Sequence, residues 1–153
     1  MTDTKPPKIY IAMACYDSVM IKTMISMTKL VKELTKAGLE WQIETVKTPF
    51  VSKARNILTA LFLRSKYDYL LFIDADVEFE PEAVIRMLVA KKDIILTPYR
   101  VKLPHDANLV KYTISFPDDK NVPILPGDLV EISEGPAGLL LIHRKVFEFL
   151  MDS

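Results

Sequence analysis

Asp74 and Asp76, separated by Ala75, follow directly on Tyr69-Leu70-Leu71-Phe72-Ile73. A short unbroken apolar run bounded by polar residues reads as a strand buried on both faces, so the two acids stand where that strand stops. If the backbone stays extended, Asp74 and Asp76 project to one side and Ala75 to the other. Carboxylates sharing so small a space repel each other, and a divalent cation between them relieves the repulsion. Hard oxygen ligands with no second thiol or imidazole nearby favour Mg²⁺ or Mn²⁺ over zinc. Such an ion keeps positions open for water and substrate phosphates. A pair of aspartates in a turn before a helix also satisfies ordinary turn and cap chemistry; the buried run ahead of this pair is what ties it to a strand end.

A second stretch with chemical content is Thr48-Pro49-Phe50-Val51-Ser52-Lys53-Ala54-Arg55-Asn56, ahead of the apolar helix Ile57 to Leu63. With Ser52 as N-cap, the first turn holds Lys53 and Arg55 and no acid. That is the wrong sign for a helix N-terminus, by a few tenths to about 1 kcal/mol. A bound phosphate reverses the sign, because free N–H groups and cations then face an anion together. Lys53 and Arg55 simply reaching into solvent is the plainer expectation.

The elements that must position these groups alternate. Lys8 to Ala14 reads as a first strand, closed by the turn Cys15-Tyr16-Asp17-Ser18, whose Asp17 or Ser18 can cap the next helix. Met20, Met24, Met27, Val31 and Leu34 make one apolar helix face, and Gly38 ends the helix. Glu40 to Val46 is a second strand; strand, helix, strand implies a right-handed parallel crossover. Pro81 at the first helical position and Glu82 in the first turn start a helix through Ala90. Asp93 to Leu96, Val110 to Phe116, Asp128 to Ser133 and Leu139 to Ile142 read as further strands, and Arg144 to Leu150 as a short helix.

The 153 residues suit one domain over 8–153 behind a polar leader, 1–7, and can bury a sizeable core. Half the residues are hydrophobic and 26% charged, as in an ordinary globular protein. Lys+Arg 20 against Asp+Glu 20 argues against a generic nucleic-acid binder. No apolar run is long enough for a transmembrane segment. The single cysteine, Cys15, fits a reducing compartment, and the expected location is cytoplasmic, in the host if the source is viral.

Taken together, Ser52-x-Ala54-Arg55-Asn56, Tyr69 to Asp76, Pro81-Glu82, Thr97-Pro98-Tyr99 and Gly138 to Phe147 resemble the GT-A class of glycosyltransferases with an Asp-x-Asp motif. Similar small enzymes are encoded by large DNA viruses of algae and by phages. The resemblance spans residues 8 to 150. It implies an α/β fold with a GT-A-like, Rossmann-like and mostly parallel nucleotide-binding sheet flanked by helices. It further implies a nucleotide-diphosphate sugar donor, a UDP-sugar first, a glycan or glycoprotein acceptor, and a Mn or Mg cofactor. By position, Asp76 would hold the metal, and Asp74 would reach the ribose, the metal or both. Ala14 to Asp17 would line the base pocket, with Tyr16 stacking on the base. Arg55 and Asn56 would approach the nucleotide sugar beside Ala75, and Tyr99 and Glu134 to Gly138 would border the sugar and acceptor.

Breaking a bond from sugar to diphosphate builds negative charge on the leaving phosphates, which a cation on Asp76 and the guanidinium of Arg55 would stabilise. An inverting enzyme also needs a base for the acceptor hydroxyl. In many relatives an acidic motif downstream of the segment matching Gly138 to Leu150 supplies it, and this sequence ends first. Either the chain is a fragment, truncated on its acceptor side, or the base is Glu131, Glu134 or Asp128, or configuration is retained. His105, in a proline-bounded loop, and His143, ending an apolar strand, read as structural or solvated.

Two rival readings remain. Leu71 to Val77 also resembles the first motif of haloacid-dehalogenase-type phosphatases, with Asp118-Asp119 as the second acidic pair, although that motif usually lies on a first strand. A nucleotide-binding module lacking its catalytic half is the other. With only four glycines the sequence has no Gly-rich phosphate loop after its first strand, which disfavours a nucleotidyltransferase.

Overall fold

The computed structural model describes residues 5–99, 112–117 and 127–153. Its centre is β3 (Tyr69–Ile73), in which all five side chains are buried. Strand geometry sends Tyr69, Leu71 and Ile73 to one face of the sheet and Leu70 and Phe72 to the other. Both faces are covered. On the first, β1 (Ile9–Cys15) adds Ile9, Ile11 and Met13, and these pack under α1 (Ile21–Lys36) and α3 (Pro81–Ala90) through Met27, Leu30, Leu34, Val84 and Met87. On the second, Tyr10, Ala12, Leu70 and Phe72 meet Leu58 and Phe62 of α2 (Val51–Arg64), with Phe147 of α4 (Arg144–Asp152) alongside. Truncating a side chain such as Leu71 in this double-sided core would cost about 2–5 kcal/mol.

The five strands lie in the order β2-β1-β3-β5-β4, with β2 spanning Trp41–Lys47, β4 Ile94–Leu96 and β5 Leu139–His143. β1 pairs parallel with β2 and with β3. β5 runs antiparallel to both β3 and β4. The mixed α/β architecture is as expected, but the sheet is only partly parallel. The register Ile73↔Leu139 brings the start of β5 to the same rim as the carboxyl ends of β1, β2, β3 and β4. Because β1 leads to β2 on one side of the sheet and its neighbour β3 leads to β4 on the other, the strand order reverses between β1 and β3, the kind of switch point where open α/β sheets bind ligands.

Other expectations are corrected. Neither Asp17 nor Ser18 caps α1; Met20 flanks it with no side-chain cap, and Met20 N–H donates to the Ala75 carbonyl at 2.9 Å. The buried stripe of α1 is Thr23, Ser26, Met27, Leu30 and Leu34, which leaves Met20 and Met24 about half exposed. The rotation follows from two polar residues: Thr23 donates to the Ala75 carbonyl at 3.0 Å, and Ser26 Oγ accepts from Phe79 N–H at 3.0 Å. The helix thereby satisfies backbone of the loop after β3. Gly38, at φ 69°, closes α1 as expected, with Leu39 N–H to Leu34 O and Gly38 N–H to Thr35 O both at 3.0 Å, the paired bonds of a Schellman motif.

Ser52 is not a cap but lies inside α2, which starts at Val51 after Phe50. No strand forms over 128–133, and within Tyr112 to Phe116 no continuous strand forms either, Ser115 making an isolated antiparallel bridge to Glu134. Val110, Arg100, His105, Asp118 and Asp119 lie outside the described residues.

The far end of α2 is closed by a residue from α4. Arg144 donates through Nε to Tyr67 O at 2.7 Å, and through Nη2 to Phe62 O at 2.9 Å and Ser65 O at 3.0 Å. Its guanidinium also stacks 4.5 Å from the Phe62 ring centre. One side chain thus answers carbonyls that a helix C-terminus leaves open.

Candidate functional site

The strand β3 ends at Ile73, and the backbone does not stay extended past it. Val77 N–H reaches the Asp74 carbonyl at 3.3 Å, so residues 74–77 form a turn with Ala75 and Asp76 at its corner. The expected same-side geometry of the two aspartates is therefore replaced by a bend. Asp74 stays half-buried and Asp76 is exposed, while Ala75 packs against the core on the α1 side.

Asp74 is the hub. Its N–H donates to the Gly138 carbonyl at 2.9 Å, which locks the turn to the start of β5. Its Oδ1 accepts from Arg55 Nη2 at 2.8 Å. The Arg55 guanidinium lies 5.9 Å from the centre of the Phe72 ring. The helix start with the wrong sign thus turns one of its cations inward onto a carboxylate, whereas Lys53 and Asn56 are exposed.

Tyr99 completes the group. Three residues beyond β4, it is held by Thr113, whose N–H donates to the Tyr99 carbonyl at 3.1 Å. Its hydroxyl lies over Gly138. A Cβ on Gly138 would overlap that hydroxyl and come within 2.9 Å of Asp74 Oδ2, so the absence of a side chain there is a steric requirement. Burial, and then the charges of Asp74 and Asp76, push the Tyr99 phenol well above its ordinary value, with Arg55 opposing them. Tyr99 is a neutral hydrogen-bond donor at every physiological pH. Among the described residues, two buried side-chain polar atoms have no hydrogen-bond partner, and both are here: the Tyr99 hydroxyl and Arg55 Nε.

A second feature opens at the ends of β1 and β2. A cleft of about 650 Å³ is lined by Tyr16, Asp17, Lys47, Thr48 and Pro49. Lys47 Nζ and Asp17 Oδ1 pair at 2.7 Å across it, and Tyr16 is 72% exposed. Ala14 lies behind, partly buried at the end of β1. A third hollow, about 440 Å³, is bordered by Tyr112 to Ser115 and by Glu134, Gly135 and Pro136. Glu134 and Glu131 are exposed; His143 accepts from Lys145 N–H at 3.1 Å and stacks edge-on against Tyr69, a structural role.

The expected residues therefore gather in two neighbouring groups, Asp74, Arg55, Tyr99 and Gly138 in one, Tyr16 and Asp17 in the other. Lys47 was not foreseen, nor was the meeting of Thr48 and Pro49, the head of the second stretch, with Tyr16. Their signal was topological: in a parallel sheet the residues after β2 stand beside those after β1. Nor was Thr23, which fastens the motif turn from below.

No group of three or more His, Cys, Asp and Glu suited to a metal occurs among the described residues. Asp76 and the free Oδ2 of Asp74 are what the rim supplies. That set does not fit a permanently caged ion, but it fits a Mg²⁺ or Mn²⁺ that arrives with phosphates, since such ions take one or two carboxylates and complete their shell with phosphate and water.

The profile of the Anp1 family matches residues 15–116, a span that runs from the end of β1 through the aspartate turn and Tyr99. The chain belongs to the Anp1 family. Members of the Anp1 family are linked to glycosylation through a mannosyltransferase complex. No curated protein matches this Anp1 chain. Among solved structures, A197 from STIV is similar at a TM-score of 0.56 and 22% identity, over 92% of this chain and 67% of that one, which is a likeness of fold. No helix among the described residues is long and apolar enough to cross a membrane.

Proposed function

We propose that the chain is a metal-dependent glycosyltransferase of GT-A type, moving a sugar from a nucleotide-diphosphate sugar to a glycan or glycoprotein acceptor. The observation that carries this reading is the joining of Arg55, Asp74 and Tyr99 over Gly138 at the carboxyl rim, in a chain of a glycosylation-linked family. The sequence favoured a UDP-sugar donor, and the family adds a mannosyl donor as the one to set beside it.

In this reading the open cleft takes the nucleoside, with Tyr16 free to stack on the base and Lys47 near the ribose or phosphates. Asp76 would hold the cation, with Asp74 Oδ2 the other oxygen within the turn. When bound, that cation supplies Lewis-acid stabilisation of the leaving diphosphate. Arg55 places a second positive charge beside the same position, and its half-buried setting strengthens the field it exerts. In the transfer, the bond between anomeric carbon and diphosphate oxygen breaks and one to the acceptor oxygen forms. If configuration inverts, the acceptor proton passes to a carboxylate. Among Glu131, Glu134 and Asp128, Glu134 is favoured, because it bridges to Ser115, two residues on from the Thr113 that holds Tyr99. An aspartyl phosphatase is disfavoured by the position of the pair, which follows the third strand and not a first one.

Thermal-shift measurements with UDP, GDP, UDP-glucose and GDP-mannose, each with and without Mn²⁺, test the proposal. Stabilisation that requires metal and disappears in Asp76→Ala is expected. Equal stabilisation without metal, or none by any of the four, sinks it.

A further inference from the structure

The hollow of about 440 Å³ between Tyr112 to Ser115 and Glu134 to Pro136 is within the size range of small-ligand sites, and the proposed donor leaves it open. Its walls are fixed on both sides. Thr113 N–H donates to the Tyr99 carbonyl at 3.1 Å, and Tyr99 N–H donates to Thr113 Oγ1 at 3.3 Å. Ser115 N–H donates to the Glu134 carbonyl at 2.9 Å, and Ser133 N–H to the Ser115 carbonyl at 2.8 Å. From Glu134 the chain runs through Gly138, whose carbonyl holds Asp74, into β5. Along the rim, in the strand order β2-β1-β3-β5-β4, the Tyr16 cleft therefore comes first, the aspartate turn second and this hollow third. A donor with its base in the first and its diphosphate at the second presents its sugar toward the third. We infer that the hollow is the acceptor subsite, in which a neutral pyranose ring of a glycan stacks on Tyr112 and donates a hydroxyl hydrogen bond to Glu134. The inference rests on the glycosyltransferase reading and names the chemistry of the acceptor within it.

The lining residues select the ligand. None of those described is a lysine or arginine, so a phosphate finds no cation there and faces the Glu134 carboxylate. A wholly apolar ligand would cover the polar groups of Thr113, Ser115 and Glu134 without offering them a partner. A pyranose suits both parts of the wall. Its hydroxyl groups can pair with Glu134, Thr113 and Ser115, while its C–H face, slightly positive, lies against the negative face of the Tyr112 ring. Tyr112 is 38% exposed, so the ring is within reach of a ligand and still partly anchored.

Saturation-transfer NMR tests the subsite, with methyl α-mannoside, methyl β-glucoside, methyl β-galactoside and a Ser/Thr-rich peptide as probes, each in Mg²⁺ with and without UDP or GDP. Calorimetric titration of the same nucleotides and melting curves accompany each protein. At least one glycoside should receive saturation, and its signal should persist when the nucleotide is added. Tyr112→Ala should weaken glycoside binding about threefold to tenfold, and Tyr112→Phe should restore it. Glu134→Ala, which keeps the backbone bridge to Ser115, should cost about tenfold. Both alanine variants should keep the wild-type melting temperature and nucleotide affinity, and Tyr16→Ala should keep the glycoside signal. Binding of no glycoside, binding of the peptide in their place, displacement of the glycoside by nucleotide, or equal binding by Tyr112→Ala and wild type overturns the inference and leaves the glycosyltransferase proposal standing. A melting temperature lowered in Tyr112→Ala and Tyr112→Phe alike assigns the residue to the fold and also overturns it. Wild type binding neither nucleotide in the presence of metal removes the glycosyltransferase proposal and the acceptor role with it.

Discussion

The two groups at the carboxyl rim are built differently. Around Asp74, backbone and side chains are tied from three elements: β5 through Gly138, α2 through Arg55, and the segment after β4 through Tyr99. Around Tyr16, one exposed ion pair crosses an open cleft, and the aromatic ring faces water. The closed group is pre-organised and intolerant of added volume, which suits discrimination between closely similar ligands. The open group offers area with little rigidity, which suits a ligand that orders the site as it binds.

The sharpest way to break this contrast is Gly138→Ala. The added carbon would overlap the Tyr99 hydroxyl and crowd Asp74, so we expect a loss of about 1–3 kcal/mol, read as a clear drop in melting temperature. The Tyr16 cleft should be untouched, as judged by Tyr16 accessibility to a fluorescence quencher. Arg55→Ala comes next. The ion pair is partly solvated, 29% and 36% exposed, so screening holds the stability change to about 1 kcal/mol or less. Metal-dependent nucleotide binding should fall far more, tenfold or beyond, because in the proposed reading the guanidinium faces the donor diphosphate. Arg55→Lys should restore only part of that binding, measured by the same titration.

A smaller effect is expected at high pH. Tyr99 has a raised pKa when folded, so the folded state holds its proton more tightly than the unfolded chain does. The stabilisation from this source is complete below the ordinary phenol value of about 10 and is lost as the pH climbs from there toward the folded value. Wild type should therefore lose more stability than Tyr99→Phe over that alkaline range in urea melts. At the bottom of the scale stands Asp17→Ala. Its pairing with Lys47 is exposed, and the melting temperature should move by no more than about 0.5 kcal/mol implies. An equally large effect at the two groups would erase the distinction between them.

Much of this was readable in the chain. An apolar run of five residues fixed β3 as a two-faced strand, Pro81 and Glu82 marked the start of α3, and Gly38 ended α1. These signals are local: each depends on side-chain period or on the backbone freedom of one residue. The failures depend on partners distant in sequence. The buried face of α1 could not be found from apolar spacing, because Thr23 and Ser26 turn inward to serve backbone some fifty residues later. The reversed direction of β5 is carried by no residue type, and it follows from the path the chain takes to reach Gly138. Arg55 was singled out by its wrong sign at a helix start, yet only the fold shows that Asp74 is what it meets. The bend at Ala75 escaped for a similar reason, since its carbonyl is held by α1 from below.

A guanidinium sits at either end of α2. Arg55 grips the aspartate near its first turn, and Arg144 wraps the carbonyls beyond its last. The helix is thus a tie-rod anchored at both tips. Its position along its own axis is therefore set twice, by a carboxylate at one rim of the sheet and by the root of α4 at the other, and a slide in either direction would break one of the two sets of contacts.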